Sequence, residues 1–209
     1  MLINMKKLLL VLFISLGIVG SVNANSIKGA FGYKLGDVDK SIETEEFKIG
    51  SWSYFATKYF TPSSPLPFFS SYSASATPIS HKIYEIKAAT HLDGKFEGIT
   101  NDYCSYSDTH FSNLLAMLEA RYGDFEVRTN KRESGNYSSG VRWTRQTYNL
   151  EYTDGNRSIY LHCYQTVGSN IYYDLQLIYR DSDLDKLEDK EYDYLVDKKI
   201  LEESSDYDL

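Results

Sequence analysis

After a largely apolar run over residues 8–19, hydrophobic positions along the chain fall into two periodic patterns. A period of two marks strands, and a period near 3.6 marks helices. The period of two is clearest toward the C-terminus. Ile171, Tyr173, Leu175, Leu177 and Tyr179 alternate with mostly polar residues, as do Ile159, Leu161 and Cys163 before them. Residues 141–146, 148–153, 157–166 and 171–180 therefore read as four strands. Asp154-Gly155-Asn156 and Gly168-Ser169-Asn170 have the residues that hairpin turns require, so the runs form an antiparallel meander with one inward face. Parity changes between Val141/Trp143 and Tyr148/Leu150/Tyr152, which predicts a turn or bulge near Gln146-Thr147.

The 3.6-residue period appears over 109–121, where Phe111, Leu114, Leu115, Leu118 and Tyr122 share one face. Ser107 or Asp108 can cap its start, and Gly123 suits the left-handed residue after its last turn. Residues 182–205 mix acids and lysines with scattered Leu, Ile and Tyr, the pattern of a charged surface helix, and 206–209 form a flexible acidic tail. The N-terminal half is less regular. Residues 29–37 suggest a short strand ending in a turn, with Asp37 capping a brief helix over 38–46. Strands are expected over 52–60, 68–76 and 81–90. Between the first two, 61–67 holds three of the four prolines and reads as an extended loop. The predicted fold class is α+β: an antiparallel β-sheet (meander) packed against one main amphipathic helix, plus a C-terminal charged helix, in a single domain over 25–205.

Composition adds a compartment. Lys6 and Lys7, the apolar run and the small residues around Ser21-Val22-Asn23-Ala24 predict a signal peptide over 1–24, cleaved after Ala24. An apolar core of about 12 residues is short against the roughly 20 needed to span a bilayer, which disfavours a membrane anchor there. The rest of the sequence has no apolar run long enough to be a transmembrane anchor. The expected localisation is periplasmic or secreted. Lys plus Arg number 22 and Asp plus Glu 29, a net charge of −7. Removing 1–24 takes away two lysines and no acids, so 20 against 29 leaves −9. That balance excludes nucleic acid as a partner, since phosphate binding needs a concentrated basic surface. Aromatic residues make up 15% of the chain, and 19 residues are Tyr, a composition that suits strands and half-buried surfaces.

Export makes a disulfide between Cys104 and Cys163, the only two cysteines, the expected pairing. A catalytic Cys163 with His162 as its base is disfavoured, because neighbouring strand residues point to opposite faces. The common hydrolase signatures and the phosphate-cradling Gly-rich loop are absent. Asp181, Asp183 and Asp185 mimic the start of a calcium loop, but Lys186 stands where its turn glycine should be and Tyr192 where its bidentate Glu should be. A charged first helical turn is the simpler reading. His81, His91, His110 and His162 lack metal-ligand spacing, so no metal or cofactor is expected. Asp93, Glu97 and Asp102 near His91 would need to converge to form a carboxylate site. Tyr160, His162 and Tyr164 share the strand face opposite Ile159, Leu161 and Cys163. If that face is open they form a binding row, to which Trp52 or Trp143 could add. If it is covered by the N-terminal strands or the C-terminal helix, they are packing residues.

The order of these features resembles small exported bacterial proteins of uncharacterised families. The residues that carry the resemblance are Leu118-Glu119-Ala120-Arg121-Tyr122-Gly123 ending a helix, Val141-Arg142-Trp143, Arg157-Ser158-Ile159-Tyr160-Leu161 and Leu177-Ile178-Tyr179-Arg180-Asp181, with Phe31-Gly32-Tyr33-Lys34-Leu35-Gly36-Asp37 before them. It implies fold and compartment, not an activity. The leading expectation is an exported, non-enzymatic binding protein whose partner is another envelope protein or a glycan. A cell-envelope hydrolase acting on glycan or cell-wall material and a structural envelope protein are the alternatives.

Overall fold

The computed structural model describes residues 26–49, 51–94, 104 and 109–205. Its centre is a seven-stranded antiparallel sheet built from β5 (Thr57–Tyr59), β6 (Ser71–Ala76), β7 (Ile83–Gly94), β8 (Glu126–Asn136), β9 (Arg142–Asp154), β10 (Arg157–Val167) and β11 (Ile171–Asp181), in the order β5-β6-β7-β11-β10-β9-β8. The runs expected over 141–146 and 148–153 form the single strand β9, so the predicted four-stranded meander is the three strands β9, β10 and β11, and β11 then pairs with β7. Two small hairpins, β1 (Gly29–Ala30) with β2 (Tyr33–Lys34) and β3 (Glu45–Ile49) with β4 (Ser51–Phe55), stand outside the large sheet. Helix α1 (Thr109–Tyr122) joins β7 to β8, and helix α2 (Ser182–Ser205) follows β11 directly. The fold is α+β, as the periodicities predict.

One face of the sheet is closed by apolar packing. Phe111, Leu114, Leu115, Leu118 and Tyr122 of α1 are buried in one cluster with Ile86, Ala88, Tyr148, Leu150, Ile159, Leu161, Leu175, Leu177 and Tyr179 from the strands. Ring pairs stitch helix to sheet, Phe111 on Tyr148 at 5.4 Å and Tyr122 on Tyr152 at 5.9 Å. The N-terminal segment completes the layer with Ile27, Leu35 and Ile42. Cys104 and Cys163 form the expected disulfide, with Cα atoms 5.5 Å apart, and both are buried. Cys163 faces the core while His162 faces away from it, as strand alternation requires.

Several expectations are corrected. No helix forms over 38–46. Asp39 instead accepts hydrogen bonds from the Ser41 amide and hydroxyl, a local side-chain turn that competes with helix, and β3 begins at Glu45. The single strand expected over 52–60 is two, β4 and β5, paired to different neighbours, with the break at buried Ala56. No turn or bulge interrupts β9 near Gln146-Thr147, because the strand pairs with β10 without a register shift. The parity change means instead that Trp143 points to the face opposite Tyr148 and Leu150. The strand β8 has no counterpart in the sequence reading. It is an edge strand, mostly exposed on both faces, so burial selects no alternation.

At the junction of β11 and α2, Asp181 is buried and fully engaged. Its Oδ1 accepts the backbone N–H groups of Asp183 and Leu184, capping α2, and the Asn156 amide, while Oδ2 accepts Arg157 Nε at 2.9 Å. Arg157 also donates to the carbonyls of Ile27 and Leu35, tying the N-terminal segment to the sheet. The aspartate run that resembled a calcium loop is thus a helix start. Farther along α2, the Glu191 carboxylate accepts the backbone N–H groups of Ile79 and Ser80, anchoring the helix to the turn before β7.

Candidate binding face

Tyr160, His162 and Tyr164 lie on the sheet face opposite α1, flanked by β9 and β11. Register sets their neighbours: Tyr160 sits between Glu151 and Ile178, His162 between Asn149 and Gln176, and Tyr164 between Thr147 and Asp174. All three are half-buried, and the His162 side chain keeps 34% of its exposure. The face is therefore neither bare nor sealed. A groove of about 490 Å³ runs across it, bordered by Arg128, Asn149, Tyr160, His162, Gln176 and Arg180, with Ile178 also lining it.

The polar groups at this groove hold one another. His162 Nδ1 lies 2.5 Å from Asn149 Oδ1, so Nδ1 carries the proton. Its Nε2 faces Asp174 at 3.8 Å, and Asp174 in turn accepts the Gln176 amide at 2.6 Å. Burial holds the His162 imidazole below its ordinary pKa; Asp174 opposes that shift and Lys87 reinforces it. Arg128 donates to Glu151 at 2.6 Å and to Glu126 at 2.7 Å. Arg180 is paired with Glu85 and lies 3.8 Å from Asp185 at the start of α2. Both guanidinium groups are neutralised in place and fixed in orientation, while His162 is kept uncharged. The groove thus combines an aromatic ring, an aliphatic side chain and hydrogen-bonding groups, with no guanidinium left unpaired.

The row divides in two. Tyr160 and His162 border the groove, whereas Tyr164 belongs to an aromatic strip beside it. Its ring meets Tyr172 edge-on at 5.5 Å, and Tyr172 meets His91 at 4.7 Å. Arg145 lies over both Tyr164 and Trp143, at 5.8 and 5.4 Å from their ring centres. Trp143 joins the strip rather than the groove. Its ring covers Gly135 on β8, where an added Cβ would approach the indole to 2.8 Å. Trp52 lies on the β3–β4 hairpin, outside the large sheet.

Of the carboxylates considered near His91, Asp93 is exposed near the end of β7, opposite Tyr172, and Glu97 and Asp102 lie outside the described residues. Among the described residues no group of three or more His, Cys, Asp or Glu side chains is placed to hold a metal ion. No described helix is long and apolar enough to cross a membrane. Asn149 and Gln176 were within reach of the sequence, since the two hairpin turns fix the register that sets them beside His162. Arg128 was not, because its strand carries no periodic signal. No protein-family model matches the chain, and no curated protein matches it.

Proposed function

We propose that this is an exported, non-enzymatic binding module whose open sheet face takes a neutral glycan in the groove at Tyr160 and His162. The observation that carries the reading is that both guanidinium groups bordering the groove are already paired with carboxylates, beside an aromatic ring and an aliphatic side chain. Such a surface offers a stacking platform and fixed hydrogen-bonding groups while giving no preference to an ionic ligand. The disulfide and the signal-peptide pattern over 1–24 support export to the periplasm or beyond.

Isothermal titration against a panel of neutral oligosaccharides tests the binding. The wild type is expected to bind at least one of them saturably, and Tyr160→Ala to weaken that binding more than tenfold with little change in melting temperature. No binding across the panel overturns the glycan reading. Fractionation with mass measurement of the mature chain tests export; the expected N-terminus is Asn25. A second reading, contact with another envelope protein, draws support from Tyr194, Ile200 and Leu201, which α2 leaves 60%, 52% and 68% exposed. Leu201→Glu would abolish such a contact and leave glycan binding unchanged.

A further inference from the structure

At its Arg180 end the groove at Tyr160 and His162 meets the start of α2, whose Asp185 lies 3.8 Å from the guanidinium. At the other end the same face of β10 continues from His162 to Tyr164 and Thr166, because alternate strand residues share a face. Register places the groups along that path. Thr147 of β9 and Asp174 of β11 stand on either side of Tyr164, and Tyr172 of β11 stands beside Thr166. From Tyr160 to Thr166 is six residues of strand, about 20 Å at about 3.3 Å per residue.

Tyr172 is the ring that projects at the far end of this path. Arg145 lies over Tyr164 and Trp143 and so engages both of those rings. Tyr172 is held instead between two neighbours nearly perpendicular to it, at 80° to Tyr164 and 79° to His91, and it keeps 37% of its exposure. A ring fixed in this way offers a rigid amphipathic platform at little cost in conformational entropy. Between the two ends, the Asp174 carboxylate and the Thr147 hydroxyl are half-buried groups able to meet ligand hydroxyls.

We propose that this face takes a neutral oligosaccharide of tetrasaccharide length or longer, laid along β10 with one end against Tyr160 and the other stacked on Tyr172. The inference rests on the glycan reading of the groove and adds to it a minimum length and a second contact. A disaccharide occupies the groove alone, whereas a tetrasaccharide reaches the second ring. Joining the two contacts in one ligand makes the second an intramolecular event, so affinity rises steeply with the first ligand long enough to span them. The Asp174 carboxylate on the path accepts hydrogen bonds from sugar hydroxyls and repels an acidic glycan.

The test is calorimetric titration of the protein with the two-, four- and six-unit members of the cello-, malto-, manno- and N-acetylchito-oligosaccharide series. In a series that binds, affinity is expected to rise at least tenfold from two units to four and to change less than twofold from four to six. Tyr172→Ala is expected to bring the four-unit ligand down to the affinity of the two-unit one and to leave the latter unchanged. Tyr160→Ala weakens both. Tyr172→Phe, which keeps the ring, holds the four-unit affinity within twofold of wild type. Tyr172 is exposed, and unchanged melting curves verify the fold of its variants. Equal affinity for two and four units, or a Tyr172→Ala loss shared equally by the two-unit ligand, would overturn the proposal and leave the glycan reading of the groove standing. Absence of binding by every member overturns that reading itself, and the proposal with it.

Discussion

Alternate residues of β10 meet two different environments. Ile159, Leu161 and Cys163 are wholly buried under α1 and the N-terminal segment, in a layer made of apolar side chains and one disulfide. Tyr160, His162 and Tyr164, one residue out of step, meet a layer of amides, carboxylates and guanidinium groups that pair with one another and still admit solvent. On the first face burial itself supplies the free energy, so position matters more than orientation. On the second face orientation is the product: the His162–Asn149 and Gln176–Asp174 hydrogen bonds fix polar atoms without covering them. The packed face and the open face are thereby separated by one residue of strand register.

That contrast can be tested from its strongest element downward. Removing the disulfide as Cys104→Ser with Cys163→Ser releases a crosslink between residues 59 apart in sequence, and the chain-entropy cost of such a loop is about 4 kcal/mol. Urea denaturation should show that loss as a lower midpoint. Leu161→Ala, on the same face, is expected to cost about 3 kcal/mol through lost transfer energy and the cavity left behind. Its strand neighbour Tyr160→Ala should cost under about 1 kcal/mol, as half-exposed substitutions do. Equal losses at 160 and 161 would break the comparison. Asp181→Ala removes the α2 cap and leaves Arg157 without its carboxylate, and about 2 kcal/mol is expected by the same measurement. Asp181→Asn, which keeps an acceptor for the cap, should recover about half of it.

The two faces also differ in how far the letters alone reveal them. The inward positions of β9, β10 and β11 announce themselves because burial imposes a period of two, and the helix over 109–121 because burial imposes one of 3.6. The disulfide was legible from export and cysteine count. The open face was legible as a row but not as a candidate site, because its polar groups are set by side-chain pairing, across strands from Asn149 to His162 and Arg128 to Glu151 and along β11 from Gln176 to Asp174. β8 escaped because an edge strand answers to solvent on both sides, and the helix expected over 38–46 failed because one Asp side chain captured the local amides. Trp143 misled in the other direction: its change of parity registers a change of face along an unbroken strand, with the indole laid across Gly135.

The smallest expected effect bears most directly on the groove. Burial holds His162 below its ordinary pKa, against the pull of Asp174, so the folded protein prefers the neutral imidazole. Above the ordinary value of 6.5 the ring is neutral in both folded and unfolded chains, and it contributes no pH dependence. As pH falls through 6.5 the unfolded chain takes up the proton first, so stability declines until the folded imidazole titrates as well and the curve levels off. His162→Gln should remove that decline, and the wild type minus variant difference in urea-derived stability between pH 8 and 5 isolates it from the other histidines. A difference of the opposite sign, with the wild type gaining stability on acidification, would mean that Asp174 outweighs burial and that His162 and Asp174 form an ion pair beside Gln176. The groove would then carry a buried charge pair able to favour ionic ligands, and the case for a neutral glycan would lose its main support. The expected sign keeps the imidazole uncharged at neutral pH and predicts that oligosaccharide binding weakens only at the lower pH where the folded imidazole itself takes up the proton.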